Sequence, residues 1–363
     1  MLSVARGTCY SIFVYDIAFA INLEGAERHL TSATRETIKR KRQAPQYFEY
    51  HPAPLRVVQA GPVQVDGLLP TDKSVELVLY DFGAVVVIYR IPLDQSSDLL
   101  ALGQQLYENK NLLDDSLKRV QGLLNVIANA VSKPNVSSFV EDYVMFQVEA
   151  FGDSASIEDL TGIHAQHVAR ILRAEPRELS EDEVRDAVSH HISYGKDDVV
   201  IVDWNAALIV DKEPEDVLRV LEFANVELLE MRFLDQRLDA ALGQAHDRLS
   251  RRSQKWFRFP SDPSDLRDIS QWQVDSAALF EGVNNVLKLV GDQYLARLYR
   301  LAAQRFHLSE WDGTILRKLQ TLESIYQKLS NEVTTRRMEV LEWIIIILIV
   351  ISIVLPFISP NLH

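Results

Sequence analysis

Apolar positions along this chain follow two different periods, and the change falls near Asp211. Before it, short runs of aromatic and β-branched residues alternate with turn residues, the mark of strands. Cys9–Leu23 is the first such run, with Tyr10, Ile12, Phe13, Val14, Tyr15 and Ile17. Leu55–Gln59 predicts a short edge strand within a proline-rich stretch, and further strands are expected at Val75–Tyr80, Ala84–Ile91, Tyr143–Ala150, Asp197–Val202 and Ala206–Val210. Val85-Val-Val-Ile-Tyr89 is apolar at every position, as in a strand covered on both faces. Helical spacing marks Asp94–Tyr107, Leu112–Ala130, Ile157–Arg173 and a segment from near Ser180 to His190-His191. Asn22 predicts the N-cap of a helix that runs on through Arg35. Interspersed strands and helices of this kind predict an α+β domain over residues 1–211, with a ferredoxin-like arrangement as the expected form.

After Asp211 the strand signal stops. Val217, Leu221, Ala224, Leu228, Met231, Leu238, Leu242, Ala245 and Leu249 keep a spacing of four and three, with Asp235 in one seam position. Ile315, Leu319, Leu322, Tyr326, Leu329, Val333 and then Val340 repeat it, and Leu279–Leu301 supplies another helix between them. Such heptads keep one stripe pointed at a partner. Residues 212–339 are therefore expected to form long antiparallel or coiled-coil helices. A polar residue in a seam sets register, which makes Asp235 the expected pairing residue, together with Asn225, Glu230 and Arg232. Spacing does not decide whether the seams close within one chain or between copies.

Trp343–Ile358 is apolar but for Ser352, with no helix breaker before Pro356. Its 16 residues span about 24 Å, short of a hydrocarbon core of roughly 30 Å. Adding Val340 and Leu341 gives a usable span if Glu342 snorkels. The expectation is a transmembrane anchor over 340–358, Trp343 at the interface and Arg336 and Arg337 on the cytoplasmic side. A buried core helix is the alternative.

The chain of 363 residues has a net charge of −13, which argues against general nucleic-acid binding by its whole surface. Its one cysteine, Cys9, excludes an internal disulfide framework and a multi-cysteine zinc site. Met1–Thr8 carries no targeting pattern, so the expected location is a bacterial inner membrane, single-pass, with the bulk of the chain in the cytoplasm. Against the acidic background stands one basic cluster, Arg35 with Lys39-Arg40-Lys41-Arg42. A solvated helix end explains it; anionic lipid headgroups or RNA phosphates are the sharper readings.

Catalytic signals are sparse. Asp81-Phe-Gly83 matches the metal-binding triplet of kinases without the other kinase motifs, and predicts a hairpin turn. His164 and His167 sit three apart on a helix with no third metal ligand in view. Asp203-Trp204-Asn205 offers a small-ligand edge, although Asp and Asn are also ordinary turn residues. No P-loop, dinucleotide glycine motif, nucleophile elbow or zinc signature occurs.

Glu222-Phe-Ala-Asn-Val-Glu-Leu-Leu-Glu-Met-Arg-Phe-Leu-Asp235, Gly291–Tyr299, Arg305-Phe-His307 and Leu341–Ile349 resemble strings of the proteins named "required for meiotic nuclear division". Tyr80–Val87 resembles their strand after an aromatic-glycine turn. The resemblance implies a membrane-anchored, oligomeric α+β protein, with mitochondrial members that support translation at the inner membrane; it brings no catalytic residue. The expected function is thus a non-enzymatic, membrane-anchored homo-oligomeric scaffold or tether with a protein or ribosome partner, no cofactor and no specific nucleic acid. The alternative is an RNA- or ribosome-binding factor that uses the basic clusters, and behind it an enzyme whose site the motifs miss.

Overall fold

The computed structural model describes residues 3–30, 33–35, 52–63, 71–152, 157–253, 274 and 293–358. The chain divides into two compact units, Met1–Leu234 with Leu279–Asp312, and Asp235–Ala278 with Gly313–His363.

The first unit is organised by β1 (Val4–Asp16), which pairs antiparallel along its length with β6 (Ala84–Leu93) on one side and β8 (Val140–Phe151) on the other. Beyond β6 the sheet continues through β5 (Ser74–Leu79), β4 (Leu55–Ala60) and β3 (Ala33–Arg35). Beyond β8 it continues through β11 (Ala206–Val210), β10 (Val199–Val202) and β9 (His191–Ile192), for nine strands among the described residues. Only β8 and β11 run parallel. A second, two-stranded sheet pairs β2 (Ala18–Ile21) with β7 (Val131–Pro134).

A nine-stranded sheet is not ferredoxin-like, and that expectation is corrected. The reason lies in β1: thirteen strand residues, buried on both faces from Ser11 to Asp16, can be flanked twice, so the sheet grows outward from it. Alternation then sorts the side chains. Cys9, Phe13 and Tyr15, with Val85, Val87, Tyr89, Phe146 and Leu208, pack in one core with α2 (Leu99–Leu106), α3 (Lys110–Val126) and α5 (Ala165–Leu172). Tyr15 and Tyr89 pin α3 there, bonded through their hydroxyls to Ser116 Oγ at 2.5 Å and Asp115 Oδ2 at 2.7 Å. Ile12, Val14, Val86 and Tyr143 face the other way and are equally buried. That face meets α7 (Glu215–Ser253), and α8 (Gln293–Arg305) ends beside it: Tyr80 approaches the Phe223 ring, and Tyr143 meets Phe306 just past α8.

Local details follow from residue chemistry. Asn22 caps only a short α1 (Leu23–Glu27), accepting from Gly25 N at 2.9 Å, and Arg35 lies in β3 rather than in that helix. Asp81-Phe-Gly83 is the turn between β5 and β6; Gly83 has φ +107, and a Cβ there would stand 1.8 Å from Ala18 O. The helix expected at Ile157–Arg173 is two, α4 (Ile157–Thr161) and α5, separated at 162–164. Ser180 caps α6 (Glu181–Ser189) through Glu183 N.

In the second unit, Leu238, Ala241 and Ala245 of α7 are buried, as are Ile315 and Leu322 of α9 (Leu308–Ile358). Lys318 Nζ of α9 lies 2.6 Å from both Asp235 Oδ1 and Asp239 Oδ1 of α7. These two helices thus meet within a single chain. Among the described residues no helix is long and apolar enough to cross a membrane. The apolar run Trp343–Ile358 that ends α9 is about 24 Å of helix, below a hydrocarbon core of roughly 30 Å, and Glu342 precedes it directly. The expected transmembrane anchor is corrected accordingly, and with it the single-pass location inferred from Trp343, Arg336 and Arg337.

Candidate interaction site

The turn Asp203-Trp204-Asn205 joins β10 to β11 and carries a dense charge cluster. Asp203 N donates to Ala206 O at 2.9 Å, and Asp203 Oδ1 accepts from Trp204 N at 2.8 Å. Tyr143 on β8 donates its hydroxyl to Asp203 O at 2.9 Å, which fixes the turn on the sheet. Asp203 is 0% exposed. A carboxylate at such a depth persists only with cations beside it.

Two arginines supply them. Arg173, just past α5, donates Nε to Asp203 Oδ2 at 2.9 Å. Arg305, the last residue of α8, donates Nε to Asp203 Oδ1 at 2.7 Å and a second bond to the same oxygen. Each guanidinium also reaches Asp186 Oδ2 on α6, at 2.6 Å from Arg173 and 2.8 Å from Arg305, and Arg173 binds Glu183 as well. Two positive and three negative side chains leave the cluster at −1. The Arg305 guanidinium holds the Asp186 carboxyl below the usual carboxylate range, whereas burial and then Arg305 lower His190.

Trp204 lies on this cluster. The guanidinium carbons of Arg173 and Arg305 stand 4.3 and 5.1 Å from its ring, each contact contributing about 0.5–1 kcal/mol. Both guanidiniums also bond the same oxygen of Asp186, which ties them to one anchor beside the indole. The indole is nevertheless 48% exposed. A large aromatic, held by two guanidiniums and half exposed, is the chemistry of a protein-binding anchor.

Other candidates are closed. A cleft of about 700 Å³ includes Asn22, Glu24, Asp81, Asn129 and Ser132, but Asn22 is occupied by its cap and Asp81 by backbone N–H groups of its own turn. Arg56 is buried between Glu76 at 2.8 Å and Glu222 at 3.0 Å, and Tyr80 donates to Glu222 at 2.8 Å, which ties β4, β5 and α7 together. Buried Glu227 accepts from the Tyr299 hydroxyl; its pKa is pushed up to about 7 by burial, with Asp312 adding and Tyr299 opposing. Among the described residues no three His, Cys, Asp or Glu side chains are grouped to hold a metal.

The residues singled out for helix pairing do not converge. Asn225 is buried and bonds Leu221 O within its own helix, and its Oδ1 has no hydrogen-bond partner among the described residues. Glu230 is buried on α7. Arg232 pairs with Glu141 of β8 and lies 5.9 Å from the Phe139 ring, while Asp235 takes Lys318. Lys39, Arg40, Lys41 and Arg42 lie outside the described residues, as do the side chains of Arg35, Arg336 and Arg337. Trp343 is exposed on α9. Sequence reasoning missed Arg173, Asp186 and Arg305. The one signal was a tryptophan placed in a polar turn.

Residues 6–216 match the family described as the N-terminal domain of the uncharacterized protein MJ0711. The protein of that name from Methanocaldococcus jannaschii is 25% identical over 289 residues, covering 78% of this chain and 83% of the relative. No solved structure matches. The match displaces the resemblance to the proteins required for meiotic nuclear division. Of the strings that suggested it, Glu222–Asp235 and all those after it fall outside the matched residues. Glu222–Asp235 lies within α7, where heptad packing calls for Leu, Glu and Arg at fixed spacing, so unrelated helices share such strings.

Proposed function

This chain belongs to the family of the MJ0711 N-terminal domain, and we propose that it is a non-enzymatic scaffold whose sheet domain docks a protein partner at Trp204. The carrying observation is a large aromatic held by Arg173 and Arg305, yet open to solvent on a sheet turn. The charged groups beneath it are matched to one another, which favours a fixed binding surface over a reaction centre. A link to translation rested on the displaced resemblance and is not carried forward.

A photo-crosslinking amino acid at Asp182, an exposed position on α6, tests the reading in cells, with Val126 on α3 as the control position. The scaffold reading expects one discrete, saturable protein adduct from position 182 and none from 126. Equal labelling from both positions, or none from 182, overturns it.

A further inference from the structure

The surface around Trp204 has a sign. The cations are hidden, the Arg173 and Arg305 side chains being 5% and 7% exposed, whereas those of Glu183 and Asp186 are 55% and 49% exposed. Glu181 extends the acidic edge along the first turn of α6, where Asp182 is paired with the exposed Arg185. An approaching molecule therefore meets an indole bordered by carboxylates, above a cluster whose formal charge is −1.

The indole has a second use as well. With 48% of its surface exposed, Trp204 has aromatic surface left for another cation beyond the two arginines it already meets. Two guanidiniums beside the ring would repel a third charge were they not neutralised by Asp203, Asp186 and Glu183. Each exposed carboxylate accepts several hydrogen bonds, and the Arg173 contact occupies only one oxygen of Glu183.

Building on the reading of Trp204 as a docking surface, we infer that its occupant is an arginine or lysine side chain from a basic segment of a partner protein. The cation packs against the exposed part of the indole and pairs with the exposed carboxylates of Glu183 and Asp186 at its border. This is an aromatic-and-carboxylate surface for a cationic side chain, and it selects against acidic segments and nucleic-acid phosphates.

Fluorescein-labelled octa-arginine, octa-lysine and octa-glutamate peptides, titrated into the full chain and followed by anisotropy, test it. The expected result is binding of the two basic peptides only, weakening with salt. Trp204→Ala and Glu183→Gln should each lose about 5–10-fold in affinity. Trp204→Phe keeps an aromatic face and should fall between, which preserves the test if the alanine variant folds poorly. Octa-arginine bound equally by the wild type and all three variants would mean general attraction to an acidic chain and would overturn the inference, as would no binding by the folded wild type. A crosslinked partner at position 182 that depends on Trp204, together with failure of the basic peptides, would sink this inference alone and leave the scaffold standing.

Discussion

Arg305 and Asp203 lie 102 positions apart and meet below the surface, where the arginine Nε donates to Asp203 Oδ1 at 2.7 Å. The contact joins the end of α8 to a turn of the sheet, and both arginines that meet the Trp204 ring bond that carboxylate. Removing its charge takes from both guanidiniums their one fully buried anion, leaving them the half-exposed Asp186 and, for Arg173, Glu183. Asp203→Asn should therefore cost about 3–5 kcal/mol in denaturant unfolding, the range for breaking a buried ion pair from one side. Asp182→Asn, on an exposed pair with Arg185, should leave the midpoint unchanged.

Gly83 and Gly122 make a paired test of backbone requirement. Gly83→Ala forces a Cβ into Ala18 O from a left-handed backbone and should destabilise by several kcal/mol, on the order of the large core effects. Gly122 lies inside α3 with open space around it, so Gly122→Ala should stabilise by about 1 kcal/mol. Thermal melts of both variants decide it.

Glu227 links stability to pH. Its folded pKa of about 7 lies above the ordinary value of 4.5, so the folded state holds a proton that the unfolded state has lost. Stability from this group is full below about pH 4.5, falls as pH rises toward 7 and is flat above. Glu227→Gln keeps an acceptor for the Tyr299 hydroxyl and removes the titration. The variant should lack that decline and gain up to roughly 3 kcal/mol at pH 8 relative to wild type. Unfolding curves at pH 5 and pH 8 measure it, and a wild type that instead gains stability over this interval would contradict the assignment.

Lys318 bridges Asp235 and Asp239 in the second unit, half-way between a surface and a buried pair. Lys318→Ala should cost about 1–2 kcal/mol, and Asp235→Leu combined with Lys318→Leu should recover most of it. A double-mutant cycle reads the coupling.

The sequence spoke clearly where local chemistry alone decides structure. β1, β6 and β8 announced themselves through runs of β-branched and aromatic residues, and Asp81-Phe-Gly83 through its turn residues. The order of the strands was illegible, because it depends on which partners flank β1 and not on β1 itself. Arg35 was read into a helix that ends at Glu27, since its neighbouring charges mimic a helix end. The Trp204 site was half visible: Asp203 and Asn205 looked like turn residues and are, but the arginines come from helices elsewhere. No spacing rule connects Arg173, Asp186, Asp203 and Arg305, which only the folded sheet brings together. The strings that suggested another family failed for a related reason, being helix grammar more than ancestry.

The most direct measurement is the yield of the position-182 crosslink in chains that carry Trp204 and in chains with Trp204→Ser, matched for thermal midpoint. The account predicts a discrete protein adduct in the first and its loss, by about tenfold or more, in the second. An adduct that persists at full yield without the indole would contradict it.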